Sequence, residues 1–409
     1  MSRASSLYRS IIPLAAALAC AACGSGNPAT GTDTPPTITV AGIADGVTYG
    51  GPVAILISID RGAYQATLDG APFASGDTVR TPGAHTLTVT AHVSVAVATT
   101  TVHFTLRGPD GGALIVRMFN LGANDAGGGG DAILVTDSSA AGMMHVMIDA
   151  GPAGANAADP GFVARQLTAL HVDTLAILLL THAHSDHYGG MPAILSAMKV
   201  RRFFYNGQIR NLSSYNSVIS QASAVADSVI VVSAQREYDL GFASTPAHLT
   251  LIPPLATYLG SSTDSSTLIN DGSIGARLSL GTFTMLFTGD AEVEANANWM
   301  AHFMSLIRDV TVLKVGHHGA NNAIFDNGFN GTSTWLTETA PRISLISGNG
   351  TTHPRINALN RLLAQVNDRT YCTNVHGDIT LRVTRAGDYT VSVERNAGAD
   401  CVPGTDATT

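Results

Sequence analysis

Apolar and polar positions change rhythm along the chain. Residues 37–40 alternate as Thr-Ile-Thr-Val, and short β-branched runs recur at 53–59, 64–68, 85–91 and 101–106, each bounded by Gly, Pro or Asp. The run His85-Thr-Leu-Thr-Val-Thr-Ala91 alternates cleanly, as one face of a half-buried sheet requires. Residues 37–107 therefore predict a small all-β sandwich. From residue 113 onward the runs at 114–119, 132–136, 145–149, 174–180, 283–288, 310–315 and 343–347 read as buried strands. Between them, 162–170, 191–198, 291–306 and 357–366 read as helices, and 379–383 and 389–393 as a final pair of alternating strands. Residues 113–395 are thus expected to form an α/β domain, followed by a tail at 396–409.

The N-terminus has a different character. Arg3 and Arg9 flank or precede a short apolar stretch at 11–19, which leads into Cys20-Ala21-Ala22-Cys23-Gly24-Ser25-Gly26. That stretch is too short to span a bilayer. It resembles a bacterial lipoprotein signal, which implies a signal at 1–23, secretion across the inner membrane and a periplasmic or outer-membrane lipoprotein. The membrane anchor would be an acyl group on Cys23, with Cys20 as the alternative site. An ordinary cleaved signal is the other reading. A Pro- and Thr-rich linker follows at 24–36. The two remaining cysteines, Cys372 and Cys401, are what an oxidising compartment would pair; the sequence leaves open whether they meet.

Composition narrows the function classes. Charged residues make up 13% of the chain, hydrophobic ones 45%, and the formal net charge is −8. That balance suits a packed protein and gives no general attraction for nucleic acid. No Gly-x-Ser-x-Gly elbow and no phosphate loop ending in Gly-Lys-Ser/Thr is present. The glycine run 127–130 lacks a strand-turn-helix context and reads as a loop.

The strongest chemical signal is Thr181-His182-Ala183-His184-Ser185-Asp186-His187, directly after an apolar strand. Three imidazoles and a carboxylate crowded at a strand end are donors for Zn²⁺ or a similar divalent ion. The motif resembles the HxHxDH loop of the metallo-β-lactamase superfamily. The resemblance extends to Ile148-Asp149-Ala150-Gly151, to Leu286-Phe287-Thr288-Gly289-Asp290, and to Lys314-Val315-Gly316-His317-His318-Gly319. It implies an αββα metallo-β-lactamase sandwich, preceded here by the all-β unit. That unit resembles bacterial Ig-like modules through Leu68-Asp69-Gly70, Pro72-Phe73, Ser75-Gly76 and 85–91.

By the same resemblance, His182 and His184 would serve one metal, Asp186 and His187 a second, and Asp290 would bridge them. Asp149 would support from behind. His318 is favoured as a ligand and His317 as a group that supports the ligands or faces the substrate, with the reverse as the alternative. Together with Ser347-Gly348-Asn349 and His353-Pro354, the pattern is similar to the hydrolase domain of DNA-uptake (competence) channel proteins and to phosphorylcholine esterases. Residues 119–122 and 130–135 match the opening of that subfamily, split by a Gly-rich insertion that leaves the role of Asp131 open. The resemblance implies one or two Zn²⁺ ions, with Mn²⁺ possible, and catalytic roles for Asp186, Asp290, His317, Lys314 and His353. Lys314 is either a buried strand residue or a phosphate contact. His248 is the only histidine between the loop and Asp290, and its strand-start position makes it a poor ligand.

The expected function is a metal-dependent phosphodiesterase or nuclease-like phosphoesterase using a metal-activated hydroxide on a small-molecule or nucleic-acid phosphoester. No obligate protein partner is evident. A lactone or β-lactam hydrolase with the same site is the alternative, and a non-enzymatic surface-binding lipoprotein the third.

Overall fold

A computed structural model of the chain describes residues 34–108, 112–122, 129–139, 142–153, 161–259, 265–405 and 407. The expected signal with Cys20 and Cys23, most of the linker, and Gly127 and Gly128 lie outside the described residues.

Residues 38–106 form strands only. A five-stranded sheet runs in the order Val47–Tyr49, Ala96–Leu106, Gly83–Val93, Ala63–Leu68, Ala71–Pro72. Two small pairs, Ile38–Ala41 with Leu56–Ile59 and Val53–Ala54 with Thr78–Val79, complete the unit. The run expected at 53–59 is interrupted at Ile55, whose side chain is fully buried beside Leu87, Val89 and Phe104. His85 is held by Asp69 and the Thr81 carbonyl, both at 2.7 Å, so it is structural. Gly108 donates to the Phe242 carbonyl at 2.6 Å and Arg107 pairs with Asp239, which docks the end of this unit on the rest of the chain.

The remainder is built on two packed sheets. One has eight strands in the order Ser228–Val231, Lys199–Tyr205, Thr174–Leu179, Gly142–Ile148, Ile133–Ser139, Leu114–Met118, Ile379–Val383, Tyr389–Val393. The other has seven, in the order Arg236–Leu240, Ala247–Ile252, Gly275–Leu280, Phe283–Phe287, Val312–Lys314, Ile343–Ile346, Arg369–Cys372. Their inner faces share one core. Ile133, Val135, Val146 and Ile148 meet Leu249, Leu278, Met285 and Leu345 there.

The alternate positions bury outward. Ala132, Leu134 and Met147 pack under the helices Phe162–Ala169, Met191–Ala197 and Ser213–Val225. Leu286, Leu313 and Ile346 pack under Val293–His302, Thr334–Thr339 and Ile356–Gln365. Burial on both faces explains why these strands read as continuous apolar runs. The result is an αββα sandwich. The helix expected at 291–306 is two, Val293–His302 and Met304–Ile307, because Phe303 leaves helical geometry at φ −130°, ψ 28°. Among the described residues no helix is long and apolar enough to cross a membrane.

The topology gathers the chemistry at one edge. Phe283–Phe287, Val312–Lys314 and Ile343–Ile346 are mutually parallel, so the loops after them emerge together. Loops at the carboxyl ends of neighbouring parallel strands are where open sheets place their sites. Thr174–Leu179 delivers residues 181–187 to the same edge. At Gly289 (φ 51°) the backbone lies so close to Thr181 that a Cβ would sit 2.9 Å from its side chain.

Candidate metal centre

Residues 181–187 leave their strand as a loop and close in the short helix Ser185–Tyr188. That reversal turns His182, His184, Asp186 and His187 to one side. His182 and His187 are fully buried, and Asp290 reaches them from the other sheet with its carboxylate 3.7 Å and 3.2 Å from their Nε2 atoms. His318 Nε2 lies 3.3 Å from both Asp290 and Asp186. His317 and His318 both adopt left-handed backbone geometry, φ 45° and 54°. That conformation is uncommon for non-glycine residues and tends to mark functional sites. It turns consecutive side chains apart.

Two donor groups result. His182, His184 and Asp290 form one; Asp186, His187, Asp290 and His318 form the other, and the two share Asp290. Three of the imidazoles, those of His182, His187 and His318, are aimed from behind. His187 Nδ1 donates to Asp149 at 2.8 Å. Asp149 also accepts from the Thr181 hydroxyl at 2.7 Å, whose oxygen in turn faces His182 Nδ1 at 3.0 Å. The Ser347 hydroxyl donates to Asp131 at 2.5 Å, so its oxygen accepts from His318 Nδ1 at 2.9 Å. These partners leave the Nε2 lone pairs of His182, His187 and His318 facing the centre, the arrangement by which outer groups orient metal-binding imidazoles. His184 instead presents Nδ1, 3.1 Å from His182 Nε2, and its Nε2 lies 3.4 Å from the Ser266 hydroxyl.

The donor set fits a cation. His187 Nε2, His318 Nε2 and Asp290 Oδ1 are buried with no hydrogen-bond partner. Burial would lower His318, yet Asp290, Asp186 and Asp131 push it up to about 9. Burial likewise opposes, and Asp290, Asp149 and Asp186 overcome it to hold His187 well above the ordinary value. Burial would raise Asp290, but His187 and His318 hold it well below the usual carboxylate range. A proton on these rings stands where a divalent ion would put its charge. His182 and His184 shift the other way, lowered chiefly by burial, and His187 adds to the lowering of each.

The other expected site residues fall at different distances from this centre. His317 stays outside both donor groups, with Nδ1 3.0 Å from Glu292, a buried carboxylate also gripped by Asn270 at 2.6 Å. His353 stacks on His317 at 5.6 Å between ring centroids and meets His318 edge-on at 6.2 Å. Burial and the adjacent His318 and His317 push His353 down to about 3, so it is a neutral imidazole. The phosphate-contact reading of Lys314 is corrected: its side chain is fully buried, paired with Asp131 and donating to the Gly289 carbonyl at 3.3 Å. Its work is to neutralise Asp131, which supports His318 through Ser347. His248 sits on an outer strand beside Asp239 at 2.7 Å and joins neither donor group.

Residues 126–212 match the family model described as the metallo-beta-lactamase superfamily. Over those residues the chain is similar to the metallo-beta-lactamase superfamily, and the matched stretch contains His182, His184, Asp186 and His187. It is 27% identical over 229 residues to ComE operon protein 3 of Bacillus subtilis (strain 168), covering 55% of this chain and 27% of that protein. The chain therefore spans about a quarter of the length of the curated relative it matches. Among solved structures, a mutant of the CmlA beta-hydroxylase is similar at TM-score 0.41 and 13% identity, over 68% of this chain and 55% of that one. The short form of human tRNase Z is similar at TM-score 0.32 and 11% identity, over 57% of this chain and 92% of that one.

Proposed function

We propose that the protein is an extracytoplasmic phosphodiesterase or nuclease-like phosphoesterase that works with one or two zinc ions. The observation that carries this reading is the position of Asp290, shared by two adjacent donor groups. His182, His184, Asp186, His187, Asp290 and His318 would hold such ions, which would supply stabilisation of charge on the oxygens of an in-line displacement. Imidazole and carboxylate donors suit Zn²⁺, with Mn²⁺ next. When bound, such ions supply Lewis acidity and lower the pKa of a coordinated water from about 15.7 to about 7.

The chain's own residues do the rest. Asp149, Thr181 and Ser347 fix the rings that would hold the ions. His317, oriented by Glu292, and the neutral His353 stacked on it form a wall beside His318. That wall offers hydrogen bonds to the non-bridging oxygens of a phosphoester. The TGD…HHG…HP pattern supports the phosphoester branch.

A location outside the cytoplasm is supported by the lipoprotein-type N-terminus and by Cys372 and Cys401, which are joined as a disulfide. In this reading an acyl group on Cys23 holds the protein at the membrane, and the Ig-like unit at 37–107 is a spacer between anchor and enzyme. The test is to purify the full chain, count metal by elemental analysis, and assay phosphodiester, lactone and β-lactam substrates in parallel. Phosphodiester turnover with one to two bound ions is expected. Turnover of the β-lactam or lactone alone overturns the substrate class, and full metal content with no turnover overturns the enzyme.

A further inference from the structure

His353 lies on a loop, residues 347–354, that is gathered around one side chain. The Asn349 carbonyl oxygen accepts from the backbone N–H groups of Thr351, Thr352 and His353, each at 2.9 Å. The inner side of this loop is fixed to the centre: Ser347 meets His318, and Arg355 N–H donates to the Gly319 carbonyl at 2.9 Å.

The outer side is covered by residues far along the chain. Gly404 N–H donates to the Pro354 carbonyl at 3.1 Å, and Thr405 N–H donates to the Gly350 carbonyl at 2.9 Å. Contact at Gly404 is so close that an added Cβ would lie 2.4 Å from the Thr351 carbonyl oxygen and 2.8 Å from the His353 nitrogen. Neither neighbour is the end of a flexible side chain, so the loop itself would have to move.

This covering segment has no regular secondary structure of its own. It is held by the disulfide from Cys401 to Cys372, with both sulfur-bearing residues buried in the outer core of the second sheet. Side chains reinforce it: Arg369 donates to the Ala399 carbonyl at 2.7 Å and Asn374 to the Val402 carbonyl at 3.2 Å. Covalent closure restricts the alternatives open to a segment that could not order itself.

We propose that the disulfide-stapled segment 401–405 is the back wall of the active site, positioning His353 and so setting how tightly the substrate's anionic group is held. The proposal rests on the reading of His353 as a substrate contact. Gly404 and the disulfide act through His353, as positioning elements. Their loss is expected to weaken substrate binding while leaving the ions and the chemical step in place.

The experiment uses the full chain loaded with zinc and bis(p-nitrophenyl) phosphate as probe, comparing Gly404→Val, the pair Cys372→Ser/Cys401→Ser, His353→Ala, and Gly404→Val combined with His353→Ala. Each variant is expected to raise KM about 5- to 10-fold, with kcat within about twofold and metal content unchanged. The combined variant is expected to be no worse than His353→Ala alone, because coupled residues are not additive. An unchanged KM in Gly404→Val, or additive losses in the combination, overturns the proposal.

A second readout needs no turnover. Hydrogen exchange at the amides of Thr351, Thr352 and His353 is expected to quicken about tenfold or more in Gly404→Val and in the disulfide variant. Unchanged exchange overturns the proposal as well. If the wild type fails to cleave the probe, the phosphoesterase reading fails, and the exchange measurement still decides whether the segment holds the loop.

Discussion

The two donor groups that share Asp290 are built to different standards. The group of Asp186, His187, Asp290 and His318 has four donors, and both of its imidazoles are tied from behind, by Asp149 and by Ser347. The group of His182, His184 and Asp290 has three. Its His184 lies 3.4 Å from the Ser266 hydroxyl on its outer side, and among the described residues no further histidine joins it, His248 being paired with Asp239 elsewhere. The difference teaches that the four-donor group is the more preorganised of the two, its imidazoles being fixed by buried partners.

The sharpest way to break this comparison is to remove what the two groups share. Asp290→Ala is expected to lose metal from both groups and to slow turnover by about 10³-fold or more, the loss of several kcal/mol of transition-state stabilisation. Elemental analysis and single-substrate kinetics check it, and an active variant with full metal content removes Asp290 from the centre.

Next in size is the support beneath the four-donor group. Lys314→Met strands the buried Asp131 charge and is expected to cost about 3–5 kcal/mol in urea unfolding. A change near zero would mean that the Lys314–Asp131 pair does not support the fold.

Asp149 and Ser347 separate the groups. Asp149→Asn disturbs His187 directly and His182 through Thr181, so it should weaken both groups; Ser347→Ala should weaken only the group containing His318. Each loss is expected at about 10- to 100-fold in affinity, read by competition with a chromophoric chelator. Equal effects of Ser347→Ala on both groups would contradict the asymmetry.

Any single step in pH has a smaller effect. An ion can bind His318 only after its proton leaves. With His318 raised to about 9 and His187 also held well above the ordinary value, affinity of the four-donor group should climb with pH towards that range, by roughly tenfold per unit for each proton displaced. His182 and His184 are lowered, so the three-donor group should already be flat above about 6.5. Without metal the sign reverses: the raised His318 stabilises the folded chain below about 6.5, and that contribution is lost as pH rises through about 9. Calorimetric titration of the metal across this range checks both halves.

Much of the centre was legible in sequence because its signals are local. His182, His184, Asp186 and His187 stand within one turn of chain, and Asp290 and His318 each follow an apolar strand. The supports were not legible. Ser347 and Asp131 lie 216 residues apart, and only the pairing of two sheets brings them to 2.5 Å. Lys314 looked as much like a phosphate contact as a core residue, because nothing near it in sequence announces the carboxylate that neutralises it. Glu292 and Asn270 were likewise passed over, although Glu292 follows Asp290 by only two positions.

The fold shows the same division. Apolar runs such as 174–180 were plain, but the helix Ser213–Val225 was missed. Its serines conceal a thin stripe of Tyr215, Val218 and Ala222 that packs on the sheet.

The centre also lies on a seam. Residues 182–187 come from one sheet, and Asp290 and His318 from the other. At this edge the halves face each other through buried carboxylates and imidazoles instead of aliphatic carbon. An ion held by both halves is therefore a rivet that exists only in the folded chain. At a hundredfold excess over its dissociation constant it adds about 2.7 kcal/mol to folding. Scarcity of metal would loosen the sandwich first at its mouth, making the supply of cations a control on the protein's lifetime as well as its rate.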